Sequence, residues 1–371
     1  MSLTTEVAIV GGGIIGCALA YTLAKDGARV AVFEKERVGG QARIAAAGIL
    51  GSGVESDGRD TFPSLSAQSA RLYPDFAAEL EAATGLDATY TRSGALTIVF
   101  GETQAMFLEH QAGVLAAEGR RVAWLEPDAL QATEPLLSTK ARGALFFQDD
   151  AHVYAPQLMH VLTLAAVAQG VTIHEYTPVH GFLTTGERVT GLQTAAGPVH
   201  ADTVVIAAGA WSRLLGDHIG ISLPLKPTRG QVMVLETYDR PLRRVVFGAG
   251  GYLAPKQDGR IVVGATEEDA GFERENTAGG VAFLVKILQR LALSLADTRV
   301  HHFGVGLRPT PPDGLPLLGP VAGRPGHWIA TGHHRNGILL APITAHLMSN
   351  AIRKGDLAPL QPYAPERFAA P

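Results

Sequence analysis

The residues in this chain whose types and spacing could do chemistry begin with Gly11, Gly13 and Gly16, inside the stretch VAIVGGGIIGCALAYTLA that runs from Val7 to Ala24. After a short apolar strand, that spacing assigns one glycine to a tight turn, one to the close approach of a pyrophosphate, and one to helix–strand packing. The phosphates would sit where Ile14, Ile15 and Gly16 open a helix, because exposed N–H groups and the helix dipole attract an anion there. Glu34 ends the next apolar run, near the distance at which such a fold sets a carboxylate on ribose hydroxyls. An adenine dinucleotide with an unphosphorylated 2′-hydroxyl is expected, which admits FAD and NAD and disfavours NADP.

Other residues carry chemistry without a motif of their own. Arg308 is the only cation in the apolar, glycine-rich run GVGLRPTPPDG, and Pro309 restricts it to an extended conformation. A guanidinium there can bind a carboxylate through two parallel hydrogen bonds, or simply end a strand at the surface. His301 and His302 are neighbours on a predicted strand and are expected to point to opposite faces, which argues against a metal site. The chain has neither a nucleophile elbow nor a P-loop, and no obvious general base.

These residues need elements to hold them in place. By length alone the uncharged stretch from Val7 could be a membrane span, for which about 18 apolar residues suffice. Its four glycines weaken any continuous helix, and only Glu6 is charged ahead of it, so neither a span nor a secretory signal is expected. It reads instead as a strand, Val7 to Val10, and a helix, Ile14 to Lys25, closed by Gly27 as a left-handed cap. Arg29 to Phe33 is the second strand.

The continuous strand–helix alternation of an NAD enzyme is missing after Glu34. VGGQARIAAAGILGSG reads as a small-residue loop able to run along an extended cofactor, followed by a helix over 62–83 and a strand in SGALTIVF. Alternation returns with a helix over 156–169, a strand over 171–176, a buried strand in the segment 202–212 that ends in Gly209, and a strand at 327–330 before a glycine-bracketed loop and an apolar helix. Strand-rich insertions such as PTRGQVMVLE and GYLAPKQDGRIVVGAT lie between. The expected fold is α/β: an FAD-binding Rossmann-like domain (1–80, 145–220 and 305–371) interleaved with a β-rich antiparallel substrate-binding domain (81–144 and 221–304).

Composition agrees with such a fold. A chain of 371 residues with 46% hydrophobic content can bury the cores of two domains. A net charge of −4 offers no basic surface for nucleic acid. The single cysteine, Cys17, excludes disulfides within the chain and suits a reducing, cytoplasmic setting. Disorder is expected at the ends and in the Pro-rich tail LAPLQPYAPERFAAP.

VAIVGGGIIGCALAYTLA, AAAGIL at 45–50, QDDAHVYAP at 148–156, VVIAAGAWS, GLRPTPPDGLPLLG at 306–319 and GHHRNGILLAP at 332–342 follow one another in an order that resembles the FAD-dependent amine and D-amino acid oxidases, and most closely their glycine oxidase branch of the thiamine pathway. The resemblance covers nearly the whole chain. It implies that Arg308 binds the substrate carboxylate and that Tyr252 helps and closes over the ligand. It places Gly332, His334, Arg335, Asn336, Gly337 and Ile338 beside the flavin ring, acting mostly through backbone atoms. Ala46, Ala47, Gly48, Ala208, Gly209 and Trp211 join the cofactor site, with Val179 near the adenine. Where relatives carry hydroxyl residues before AAAG, this chain reads Ala42-Arg43-Ile44, and Arg43 is expected to reach a phosphate.

The implied reaction is oxidation of glycine or a related small primary or secondary amino acid to an α-keto acid, with O2 reduced to hydrogen peroxide. FAD is expected to be non-covalent, because the cysteine sits just past the glycine loop and no histidine lies near AAAGIL. A homo-oligomer is expected, with no membrane, nucleic-acid or metal partner. The alternatives are an oxidase for an N-substituted glycine or other bulkier amine, and a dehydrogenase serving a non-oxygen acceptor. His302 and Glu267 are candidates for the pocket without an assigned role.

Overall fold

The computed structural model describes residues 3–40, 45–54, 62–237 and 242–368, with the side chains of 62–64 excepted. Arg43 lies outside the described residues, so its expected phosphate contact has no structural account.

Apolar residues at both ends of the chain build one sheet. The strand Leu3–Val10 lies at its centre, with Val7, Ala8 and Ile9 almost fully buried. It runs parallel to Val30–Phe33 on one side and to Gly197–Ile206 on the other, with Val10 paired to Phe33 and Ile206. Burial on both faces explains why these strands read as continuous apolar runs. The sheet extends through Thr172–His174 beyond one flank and through His327–Thr331 and the antiparallel Leu317–Pro320 beyond the other. A hairpin, Val179–Thr185 with Arg188–Thr194, pairs onto the early part of Gly197–Ile206.

Four helices cover this sheet: Ile14–Lys25, Phe62–Thr84, Ala155–Ala168 and Gly337–Lys354. Within that core Tyr73 is fully buried and its hydroxyl donates to the Ile338 carbonyl at 3.1 Å, while the Ser69 hydroxyl donates to the Leu339 carbonyl at 2.5 Å. A helix far along the chain from the last one thereby fixes the first turn of the last one.

The second sheet gathers Ala95–Val99, Val122–Leu125, Gly143–Phe147 and the strands between Lys226 and Thr310. Its longest pairing joins Lys226–Glu236 to Val300–Thr310, antiparallel. Antiparallel pairing dominates as expected, but Val245–Gly248 runs parallel to Ala95–Val99. Helix Ala278–Leu291 covers one face, burying Leu284, Ile287, Leu288 and Leu291 at helical spacing. The two sheets thus draw on alternating stretches of one chain. Positions 145 and 305, where domain changes are expected, each fall inside a strand of the second sheet.

Three local expectations differ from the structure. The strand expected to end in Gly209 ends at Ile206, and Gly209, with φ +54°, turns the chain into a short 3-10 helix, Gly209–Trp211. His301 and His302 do not lie on opposite faces: a bulge opposite Val234 and Leu235 leaves His301 unpaired, and the two rings meet at 5.0 Å. The Pro-rich tail is folded as far as Phe368, because Leu360 and Tyr363 are buried and Arg367 bonds Asp313 and the Leu315 carbonyl. Among the described residues no helix is long and apolar enough to cross a membrane.

Candidate active site

The glycine loop shows a different constraint at each glycine. Gly11 has φ +116°, and a Cβ there would lie 2.5 Å from the Ala207 carbonyl oxygen. A Cβ on Gly16 would lie 2.0 Å from the Gly11 carbonyl oxygen, so helix and loop touch only because it is absent. Gly13 meets nothing within 4 Å and caps helix Ile14–Lys25 without a side-chain bond. The N–H groups of its first turn have no partner within the helix.

Glu34 is buried at the end of its strand. Its Oε2 accepts from Gly12 N–H at 2.8 Å and its Oε1 from Glu36 N–H at 3.0 Å. The carboxylate therefore braces the loop as well as facing the cleft, and two oxygens with about four acceptor sites still have capacity for hydroxyl donors.

A cleft of about 1010 Å³ runs past this loop. Clefts for small ligands usually span about 300–1,000 Å³, so this one has room for a large cofactor together with a substrate. Gly11, Gly13, Ile14, Ile15, Glu34, Val179, Ala208, Gly209 and Trp211 line it, as do Ala46, Ala47 and Gly48. Tyr252, Arg308, His334, Arg335, Gly337 and Ile338 line it too. Gly16, Gly332 and Asn336 do not. Gly16 packs against the loop, Gly332 with φ +80° packs on Leu317, and Asn336 caps the last helix.

Arg308 reaches the cleft from Val300–Thr310, where Gly306 pairs with Gly230 and Arg308 with Thr228. Its guanidinium lies flat on Gly230: a Cβ at that position would come within 2.4 Å of both terminal nitrogens. Nη1 also donates to the Thr266 carbonyl at 3.1 Å. The buried ring of Tyr252 lies over Gly264, two residues before Thr266, where a Cβ would fall 2.3 Å from the hydroxyl oxygen. Two glycines on adjoining strands thus make room for a rigid cation and a phenol. Phe247, 5.7 Å from the Tyr252 ring, and the part-exposed Phe283 add an apolar wall.

The GHHRNG segment turns into the last helix here. His333 is buried, its Nε2 3.0 Å from the Thr344 hydroxyl, and burial pushes its pKa down to about 3, so the ring is neutral. His334 has φ +47°, its N–H donates to the Pro309 carbonyl at 3.1 Å, and its Nε2 stands 3.4 Å from Glu267 Oε1. Burial first, then the Arg308 and Arg335 charges, lower its pKa, while Glu267 opposes them. His302 lies outside the cleft lining, near Arg260.

Several contributors were not assigned from sequence. Lys256 is fully buried beneath the AAAG segment, its ammonium donating to the Ala47 carbonyl and to the Val153 carbonyl at 3.1 Å, and burial lowers its pKa to about 7. In the sequence it reads as an ordinary polar residue before a turn, and only its position directly after the apolar GYLAP hinted at more. Lys35 lines the cleft with its ammonium 3.7 Å from the Trp211 ring centroid. His333 was hidden by its polar neighbours.

A parallel sheet opening on a glycine loop, joined through one cleft to a second, largely antiparallel sheet, is the layout of a dinucleotide-dependent enzyme. The family model described as "FAD dependent oxidoreductase" matches residues 6–351, and the chain belongs to that family. It is 36% identical to the glycine oxidase of Geobacillus kaustophilus (strain HTA426) over 355 residues, 95% of this chain and 94% of that protein. The crystal structure of glycine oxidase from Geobacillus kaustophilus matches with a TM-score of 0.94 at 35% identity, covering 100% of each chain. Iminodiacetate oxidase from Chelativorans sp. BNC1 matches with a TM-score of 0.88 at 28% identity, covering 97% of this chain and 99% of that one. The chain is an FAD-dependent oxidoreductase, and the open face of Gly13 with the helix N–H groups behind it fits the pyrophosphate of that cofactor.

Proposed function

We propose that this enzyme oxidises glycine or a related small primary or secondary amino acid to its imine, which water converts to an α-keto acid, with O2 reduced to hydrogen peroxide. The observation that carries the reading is Arg308, laid on Gly230 and tied to Thr266 in the cleft that the glycine loop also enters. A guanidinium held in that way suits a carboxylate through paired hydrogen bonds, with Tyr252 beside it. The similarity to glycine oxidase over nearly the full length supports the choice of amino acid.

For the cofactor, Gly11, Gly13, Ile14, Ile15 and Gly16 would hold the pyrophosphate, Glu34 the ribose, and Val179 the adenine. Ala46 to Gly48, Ala208, Gly209, Trp211 and the segment Gly332 to Ile338 would enclose the rest, without a covalent link. Bound FAD supplies a hydride acceptor for the substrate Cα. Anchoring the carboxylate leaves few orientations for Cα and the amine, and such positioning is worth about 7–11 kcal/mol in favourable cases. The N-terminus of Gly337–Lys354 stabilises negative charge that develops beside it. A homo-oligomeric, cytoplasmic enzyme of the thiamine pathway is the setting that accords with this reading.

A second substrate class is favoured by a specific feature. Phe247, beside Tyr252, and the part-exposed Phe283 line the cleft, room that glycine does not need, and a relative of this fold is an iminodiacetate oxidase. An N-substituted glycine would place its substituent on those rings. The test is anaerobic bleaching of the yellow protein by glycine, sarcosine, a longer N-alkylglycine, D-alanine and a 2-hydroxy acid, followed by air. Bleaching by glycine with colour return and peroxide supports the first reading. Preference for the longer N-alkylglycine moves the assignment to the second, and an unbleached flavin with every compound removes both.

A further inference from the structure

We infer that Glu267 and His334 form the amine-recognising half of the substrate site, Glu267 binding the substrate ammonium and His334 taking one of its protons. The inference rests on the amino acid reading above and adds groups that reading does not use.

The geometry comes first. Glu267 directly follows Thr266, whose carbonyl accepts from Arg308, and His334 donates its own N–H to the carbonyl of Pro309, the neighbour of Arg308. An acid and an imidazole from separate segments are thus both tied to the backbone surroundings of the carboxylate-binding cation. All three side chains line one cleft. An α-amino acid carries its ammonium and its carboxylate on one carbon, and Arg308 with Glu267 presents the complementary pair of charges.

The state of each group suits its role. Glu267 is 53% exposed and remains in contact with water, whereas the His334 side chain is 21% exposed. The His334 Nε2 is buried and has no hydrogen-bond partner among the described residues, although the Glu267 carboxylate is 3.4 Å away. A buried ring nitrogen without a partner is costly, and a donor on the substrate would relieve it. His334 sits at φ +47°, a region that non-glycine residues enter rarely, and its Nε2 stands 3.4 Å from the cleft residue Glu267. The charged groups facing it are Glu267, Arg308 and Arg335; burial and the two arginines hold it below the usual histidine range against the opposing pull of Glu267, so the ring is neutral near pH 7.

The proton balance is simple. One N–H bond of the substrate ammonium breaks, its electron pair stays on nitrogen, and the proton bonds to His334 Nε2. The imidazolium is stabilised by Glu267, and the proton leaves to water along that exposed carboxylate. The lone pair left on nitrogen is what allows hydride to depart from Cα.

The test uses the holoenzyme with two ligands of one skeleton: 2-aminoisobutyrate, a zwitterion with no Cα–H to lose, and isobutyrate, which lacks the amine. Binding is read from the oxidised flavin spectrum. In Glu267→Gln, 2-aminoisobutyrate should weaken about tenfold or more while isobutyrate changes less than about twofold, and Glu267→Asp should recover the discrimination. In His334→Gln both ligands should keep their affinities within about threefold. Its kcat/KM for the preferred amine should instead climb with pH until the substrate ammonium itself ionises, where the wild type levels off above the histidine range of about 6.5. Equal weakening of both ligands, no weakening of either, or a His334→Gln profile superimposed on the wild type would overturn the inference. If no amine reduces the wild type, the proposed function fails by itself, and the ligand pair still decides whether Glu267 recognises an amine.

Discussion

At Arg308 charge and shape have different origins. The cation belongs to Val300–Thr310, the flat surface beneath it to Gly230 on the paired strand, and the fixing carbonyl to Thr266. An arginine held in this way loses little side-chain freedom on binding a planar anion. Arg308→Ala should leave FAD bound with an unchanged visible spectrum and lower kcat/KM for carboxylate substrates more than a hundredfold, about 3 kcal/mol for two charge-assisted hydrogen bonds. Steady-state kinetics beside a flavin spectrum decides the matter, since loss of FAD or unaltered kinetics would take Arg308 out of the carboxylate site. Its position was legible as a lone cation before a proline, but its role came from resemblance. Lys256 was not legible at all, because the carbonyls that hold it belong to Ala47 and Val153, far away in sequence.

The strand–loop–helix unit at the N-terminus separates two functions of glycine that look alike in sequence. Gly16 is closed in by the Gly11 carbonyl, whereas Gly13 faces open space with φ −79°, a backbone any residue can adopt. Gly13→Ala should therefore fold with a thermal midpoint close to that of the wild type as apoprotein, yet bind FAD more weakly, because the new methyl occupies the approach of the pyrophosphate. Gly16→Ala should lower the midpoint of the apoprotein itself, since the loop must move to admit Cβ. Thermal unfolding of both apoproteins, with FAD titration, checks the contrast; equal midpoints for the two variants would contradict it. The helix at Ile14–Lys25 and the strand at Val30–Phe33 were legible within a residue, because their apolar spacing is local. The turn after Ile206 was not, because the apolar run continues through Ala207 and Ala208 while Gly209 takes a left-handed φ.

Across the whole molecule, burial of histidines sets the response to acid. His152 and His333 are pushed down to about 3 and His327 to about 4, in each case by burial first. An unfolded histidine binds its proton below about 6.5, so between there and the folded values the unfolded state holds more protons and stability falls as pH falls. Each such histidine contributes about 1.4 kcal/mol of lost stability per pH unit within that window. The holoenzyme should lose thermal stability steeply from pH 6 to pH 5, before most carboxylates titrate, and a midpoint that stays level over that interval would show that these rings are not held neutral.

By itself the sequence determined the glycine loop, the apolar strands around it, and the alternation of cofactor-type and strand-rich segments, because turn geometry and residue periodicity act over a few neighbours. Tertiary structure alone decided which side chains share the cleft. Glu267 meets His334 and Lys256 meets Ala47 only after two interleaved sheets close on each other, and Arg308 lies on Gly230 only once two strands distant in sequence pair. Such contacts depend on register and burial between distant strands, and a buried charge or ring finds its partner across space, where no local spacing records it.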